Sequence, residues 1–439
     1  MGIEGLSAQE ISFLLDLSGD YAKLDPRSHS YERLLDAHTV INLFFETSTR
    51  TRTSFELAAK RLGAEVINMS VAWSSIKKGE TLIDTAMTLT AMHPDVLVVR
   101  HPDSGAVKLL SEKVDCAVIN GGDGSHEHPT QTLCDLYNLW LERGRIEGLD
   151  VVLAGDLRYS RTIHSFVYAL ARFGANIVCV PQPGFELPGY VVQRLREEFG
   201  VEPVRADVSR LGDLSAGADA VYLTPQKPHQ LSLFTAGEGS PENALPVERV
   251  DALYMTRPQT ERFRGTQLDE TTYVHLDKKR MAAESLRNAV VMHPLPRRDE
   301  ISDDIDADPR SIYFKQAGRG VPIRMAILGF LLGRLDLDAA PHQLDVRYYK
   351  VVEGPNPCLN PACISRTETR HVVPIFKLAS RFPVRAHCGY CSEEIEAPLV
   401  GCTTTRHLHE RGAPDARKIR PDHLVFFHDV EEARARGFQ

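Results

Sequence analysis

The chain has 439 residues, 43% of them hydrophobic, with 59 acidic against 51 basic side chains and a formal net charge of -8. That length implies two or three soluble domains, and the acidic balance excludes a global field that would draw DNA, RNA or an anionic membrane. An anionic ligand must therefore be held by a local cluster. No apolar run approaches the roughly 18 residues that span a bilayer, and the acidic start lacks the basic flank and apolar core of a leader, so the sequence predicts a cytoplasmic protein.

The first half alternates strand and helix signals, which predicts an α/β architecture. Residues 40–45 form a short apolar run of buried-strand character; from 49 to 62, Phe55, Ala58, Ala59 and Leu62 recur at helical spacing until Gly63. Strands are expected at 95–99 and 117–120, then a helix over about 130–141 ending near Gly144. Residues 142–150 read as a hinge. Beyond it come a strand at 151–154, a turn at 155–160, a helix at 162–173 capped by Gly174, and a strand at 177–180. Strands at 220–223 and 252–255 bracket a Pro-, Gly- and Ser-rich surface loop over 224–246. The pattern Asp-Ala-x-Tyr-x-Thr that the two strands share has no repeat period and reads as coincidence. After a strand at 289–292 and an apolar helix over 321–335, the composition turns Pro-, Cys- and His-rich, and from about Thr403 the chain reads as a charged tail of low order.

The residues with chemistry sit where strands end. Ser48-Thr49-Arg50-Thr51-Arg52 joins a strand to a helix, so hydroxyls, guanidinium groups and free N–H groups of the first turn can converge on one anion. Alone, such a string is as readily an N-cap followed by solvated arginines. Three further segments also follow apolar strands, at the carboxyl ends where open α/β sheets bind ligands. They are Arg100-His101-Pro102, the stretch 123–131 with His128 and Gln131, and His293-Pro294-Leu295-Pro296-Arg297, whose prolines leave carbonyls as outward acceptors.

From about Leu6 to Leu335 these residues resemble the catalytic chain of the aspartate carbamoyltransferase family. The resemblance rests on Phe44-Phe45-Glu46-Thr47-Ser48-Thr49-Arg50-Thr51-Arg52, Lys77-Lys78-Gly79-Glu80-Thr81, Arg100-His101-Pro102, His128-Pro129-Thr130-Gln131, the stretch 155–162 with Arg161, Tyr254-Met255-Thr256-Arg257-Pro258-Gln259 and the loop 293–297, all in family order. It implies carbamoyl phosphate and L-aspartate as substrates. The Pro-Leu-Pro-Arg loop and the Arg257/Gln259 pair are similar to the aspartate enzyme rather than the ornithine one. By resemblance, Ser48, Thr49, Arg50, Thr51 and Arg100 hold the phosphate, and Thr51, Arg100 and His128 face the carbonyl oxygen. Gln131 with the carbonyls of Pro294 and Leu295 orients the carbamoyl amide, with Pro296 completing the loop. Lys78, Arg161, Arg257, Gln259 and Leu295 receive aspartate. Ser74 and Lys78 reach into a neighbour's site, which implies a homotrimer with shared active sites. No cofactor is needed for the transfer, and His128 is better cast as oxyanion donor than as general base, although the sequence does not separate those roles.

Cys358-x4-Cys363 and Cys388-x2-Cys391 supply two knuckles separated by 24 residues, a spacing that suits a tetrahedral structural zinc. The run 356–365 resembles the zinc domain of the family's regulatory chain. Only about twenty residues separate Leu335 from Cys358, too few for that chain's nucleotide-binding domain, so no nucleotide response through such a domain is expected. The predicted fold is two doubly wound parallel-sheet domains followed by a small β-rich module built on four cysteines. A carbamoyl-phosphate domain covers 1–145 and is completed by a helix at about 318–336; an aspartate domain covers 146–317, a zinc module 340–400 and a tail 401–439. Whether the module packs on its own subunit or bridges trimers is left open. Rival readings are a carbamoyltransferase with another acceptor, a catalytically dead scaffold, and a zinc-ribbon nucleic-acid binder. The net charge and the lack of a basic, aromatic-interleaved patch near the cysteines weigh against the last.

Overall fold

The computed structural model describes residues 2–24, 33–70, 80–207, 217–224, 250–257, 275–333, 351–353, 358, 360–381, 384–395, 397–420 and 423–439. Ser74, Lys77, Lys78, Gln259 and nearly all of the expected loop 224–246 lie outside them.

The first sheet joins β1 (Thr39–Phe44), β2 (Glu65–Ser70), β3 (Val96–His101) and β4 (Ala117–Asp123) in the order β2-β1-β3-β4, all parallel. Val96, Leu97, Val98 and Val99 are buried on both faces, which is why β3 reads as a continuous apolar run rather than an alternating one. Helices α1 (Ala8–Lys23), α2 (Thr49–Arg61), α3 (Leu82–Thr90), α4 (Ala106–Ser111) and α5 (Pro129–Arg143) cover it. Strand order reverses between β1 and β3, where Phe44 pairs with Arg100.

The second sheet contains β5 (Asp150–Gly155), β6 (Asn176–Pro181), β7 (Val204–Arg205), β8 (Ala220–Leu223), β9 (Ala252–Met255) and β10 (Val290–Met292) in the order β10-β9-β8-β5-β6-β7, again parallel. Its reversal falls between β5 and β8, and α6 (Arg161–Arg172) and α7 (Gly189–Phe199) follow β5 and β6. A buried helix, Tyr313–Leu331, then returns to pack on α1, α2 and α5. It starts earlier than its apolar run suggested, because its first turns are polar for a reason. Gln316 faces the interior, and Arg319 binds Asn138 and Glu142 of α5 at 2.7 and 2.9 Å.

The α/β prediction holds, while the predicted tail does not. Strands β11 (Val351–Glu353), β12 (Ile375–Arg381) and β13 (Val384–Cys388) form one antiparallel sheet, and β14 (Leu399–Cys402), β15 (Leu408–Glu410) and β16 (Leu424–Phe427) form another. The two share a core in which Val400, Leu424 and Phe426 meet Phe376, Leu378, Val384 and Ile395. The boundary at residue 400 is therefore corrected: 401–439 is the second layer of the cysteine module, not a loose tail. Its charges are spread over exposed positions, while Val425, Phe427, Ala433 and Phe438 close a second small core.

This module packs on its own chain. Ser104 N–H donates to Ala362 O at 2.7 Å and Ile364 N–H to Ser104 O at 3.0 Å, a parallel rung across the boundary. Lys108 Nζ reaches Gly389 O at 2.6 Å, Thr367 Oγ1 donates to Asp103 at 2.8 Å, and Glu368 accepts the Leu82 N–H at the start of α3 at 2.8 Å. Gly105, with φ +84°, lies against Tyr390 so closely that any Cβ would fall 2.6 Å from its backbone. Among the described residues no helix is long and apolar enough to cross a membrane.

Candidate active site and metal centre

Three helices begin at one cavity of about 660 Å³. Ser48 is the N-cap of α2, His128 of α5 and Ser160 of α6, and none of the three uses its side chain to cap. The positive ends of three helix dipoles thus converge where both sheets reverse strand order. Ser48, Thr49, Arg50 and Thr51 line the cavity from α2, with Arg100 from β3 and His128 and Gln131 from α5. The second domain contributes Arg161, Arg257 and the loop Pro294, Leu295, Pro296. The predicted Ser74, Lys78 and Gln259 are outside the described residues.

The cavity is an anion site by composition. Arg50, Arg100, Arg161, Arg257 and Arg324 line it, and no described Asp or Glu does. Burial, then the neighbouring Arg161, pushes the Arg100 guanidinium down to about 9, with Glu46 opposing. Burial and the charge of Arg257 likewise lower Arg50. Cations crowded out of water in this way are stabilised by an incoming anion. Gly122 permits the crowding: at φ +115°, a Cβ there would sit 3.0 Å from the Arg161 guanidinium carbon and 3.1 Å from Arg100 Nη1. Arg161 Nη1 donates to Gly124 O at 3.0 Å, and Arg100 Nη1 to Gly121 O at 3.1 Å. His128 is held through its backbone, whose N–H donates to Ser165 Oγ at 3.0 Å, and its Nε2 lies 3.5 Å from Arg100 Nη1.

The loop after β10 is rigid for local reasons. The Leu295 N–H donates to His293 Nδ1 at 2.8 Å, so the ring proton sits on Nε2, which faces Glu300 at 2.8 Å. Burial keeps the ring below its usual pKa. Prolines 294 and 296 have no N–H, so the loop presents carbonyls.

Several residues of the site escaped the sequence reading. Glu46 sits behind the arginines, its Oε2 at 3.1 Å from Arg100 Nε and 3.7 Å from Arg161 Nη1. Asp135, Tyr254 and Gln316 form a buried hydrogen-bonded group under Gln131. Arg324 donates to Gly320 O at 2.8 Å and lies over the Phe55 ring. A signal existed for four of them: Glu46 and Tyr254 stand inside motifs quoted above without a role, Asp135 is four residues from Gln131 on one helix face, and Arg324 is eight from Gln316 on another.

Known protein families resolve the likeness. Residues 1–140 match the carbamoyl-P binding domain of aspartate/ornithine carbamoyltransferases, 237–331 their Asp/Orn binding domain, and 350–399 the metal binding domain of the aspartate carbamoyltransferase regulatory chain. The aspartate carbamoyltransferase catalytic subunit of Bradyrhizobium diazoefficiens is 42% identical over 341 residues, 76% of this chain and 95% of that protein. The chain belongs to the aspartate carbamoyltransferase family. The catalytic subunit of Rhodospirillum rubrum is 43% identical over 342 residues, 76% of this chain and 94% of its own. A solved aspartate transcarbamoylase of Trypanosoma cruzi, in complex with carbamoyl phosphate and aspartate, superposes with a TM-score of 0.59 at 33% identity, covering 75% of this chain and 94% of that one. As a carbamoyltransferase the chain is an enzyme of the transferase class.

The cysteines form a separate centre. Sγ atoms of Cys358, Cys363, Cys388 and Cys391 all lie within 4.8 Å of one another and are buried. Cys358 to Cys391 is 3.5 Å and Cys363 to Cys388 3.6 Å. Tetrahedral thiolate coordination at about 2.3 Å per bond spaces sulfurs by about 3.8 Å, so this donor set fits one metal ion. Ser365 Oγ at 3.2 Å from Cys363 Sγ and the Tyr390 N–H at 3.5 Å from Cys388 Sγ supply the outer hydrogen bonds that orient such ligands.

Proposed function

We propose that the protein transfers the carbamoyl group of carbamoyl phosphate to the amine of L-aspartate, giving N-carbamoyl-L-aspartate and phosphate, the entry to pyrimidine synthesis. The observation that carries this reading is the cavity in which three helix N-termini and five arginines meet an acceptor-only loop. Ser48, Thr49, Arg50, Thr51 and Arg100 take the phosphate. Thr51, Arg100 and His128 donate to the carbonyl oxygen as it gains charge, with Gln131, Pro294 and Leu295 accepting from the carbamoyl NH2 and Pro296 fixing their loop. Arg161 and Arg257 pair with the two carboxylates of aspartate, helped by Gln259 and the Leu295 carbonyl. The amine must be neutral to attack the carbamoyl carbon; the C–O bond to phosphate then breaks, and the departing phosphate accepts the proton. Positioning and preorganised charge supply the catalysis.

The carbamoyl-phosphate domain is 1–145 with the returning helix, and the aspartate domain is 146–317. The active unit is a homotrimer in which Ser74 and Lys78 complete a neighbour's site, and the four-cysteine centre holds structural zinc. A colorimetric ureido assay comparing aspartate with ornithine as acceptor tests the reaction. Product with aspartate alone is expected, and no turnover with either would overturn it.

A further inference from the structure

Asp135 is 1% exposed and lies one helical turn beyond Gln131 on α5. Its Oδ1 accepts three hydrogen bonds, from Gln131 Nε2 at 2.8 Å, Tyr254 Oη at 3.0 Å and Gln316 Nε2 at 3.0 Å. The donors come from three elements, α5, β9 and the helix Tyr313–Leu331. Its other oxygen is buried without a partner among the described residues. Such a group is costly to bury, which calls for a role beyond packing.

We propose that Asp135 is a positioning residue that fixes the polarity of the carbamoyl-binding wall, so that the site takes an acyl phosphate bearing NH2 and rejects its methyl counterpart.

A carboxylate oxygen bound in this way only accepts, so both glutamine amides must turn their NH2 toward it. Each carbonyl is thereby turned away. The Gln316 carbonyl receives the His293 N–H at 2.9 Å, which anchors the first residue of the loop. The Gln131 carbonyl is left for the cavity that Gln131 lines. In the loop itself the Leu295 N–H is spent on His293, and both prolines have none. One buried oxygen thus sets both sides of the wall as acceptors: Gln131 directly, Pro294 and Leu295 through Gln316 and His293. A carbamoyl NH2 offers two donors to them, and the methyl of acetyl phosphate offers none and strips water from groups it cannot satisfy.

Burial pushes the carboxyl up to about 7, with the hydrogen bond from Gln131 the first to oppose it. A proton taken up on the partnerless oxygen leaves Oδ1 an acceptor, so the polarity of the wall is the same on either side of neutrality.

The inference rests on the proposed reaction, and the two are separable: wild-type turnover tests the reaction, while calorimetric affinities of the intact protein test Asp135. The probes are carbamoyl phosphate, acetyl phosphate and inorganic phosphate. In Asp135→Ala, carbamoyl phosphate is expected to bind at least about tenfold more weakly, with the other two unchanged within about twofold. Asp135→Asn, whose Oδ1 accepts from the same three donors, should restore carbamoyl phosphate to within about threefold. Equal weakening of all three ligands, no weakening of any, or failure of the Asn variant to rescue would overturn the proposal. Should Asp135→Ala not fold, Gln316→Ala removes the loop arm alone and must still weaken carbamoyl phosphate selectively.

Discussion

Ser104 and Cys363 form one rung of parallel pairing between the catalytic part and the cysteine module. Cys363 is one of the four clustered thiols, and Ser104 lies four residues beyond Arg100, so the metal centre and the anion site share a short stretch of backbone.

Removing the metal is therefore expected to act on both. The four cysteines tie the segment 358–363 to the strand end at Cys388, and zinc supplies about 10 kcal/mol or more to comparable folds. Chelation, or Cys388→Ser, should release one equivalent of zinc by mass spectrometry, lower the melting temperature by several degrees and weaken phosphate binding. An unchanged melting curve in metal-free protein would contradict this.

Gly105→Ala tests the docking without touching the metal. The added Cβ would meet Tyr390 at 2.6 Å in a backbone conformation with φ +84°. A loss of about 2–4 kcal/mol is expected by denaturant titration, with faster proteolysis at the boundary between catalytic part and module.

Glu46→Gln removes the charge facing Arg100 and Arg161. Since Arg161 belongs to the second sheet's helix and Glu46 to the first sheet's loop, the change loosens one domain against the other. A drop of about tenfold in kcat/KM, or about 1.4 kcal/mol, is expected, carried mainly by the aspartate half-saturation.

Stability should fall as pH rises above neutrality. Burial opposes charge on His126, but Asp123 at 3.2 Å outweighs it and lifts the ring to about 9. A raised histidine contributes stability that is complete below about 6.5 and is lost as pH passes through its folded value. Glu127, lifted to about 8 by burial and by Glu4, ionises over an overlapping range and adds a penalty of the same sign. The melting temperature should drop between pH 6.5 and 9. His126→Asn should flatten that slope; a slope identical to wild type would refute the assignment.

Shared sites are tested by mixing. Lys78→Ala and Arg50→Ala proteins, each inactive, should regain part of the wild-type activity in verified mixed trimers, and no rescue would count against a composite site.

Much of this was legible in the sequence, for reasons that differ by element. Buried parallel strands such as β3 and β8 announce themselves as apolar runs, and the motif arginines stand at strand ends. The network under Gln131 was hidden because Asp135 and Gln316 meet across 181 positions, a contact that no local pattern encodes. The second layer of the module was missed because its surface charge masked a core of short apolar segments. Leu424–Phe427 was the available signal: a buried strand with all four residues inside.

The Glu368 contact at the head of α3 and the Ser104 rung, four residues beyond Arg100, tie the module to the first sheet's domain within one polypeptide. Contact made this way is unimolecular, so its equilibrium does not depend on protein concentration. Dilution, which separates a catalytic chain from a detachable partner, leaves this pair at the same occupancy, and activity per chain should not change with dilution on the module's account.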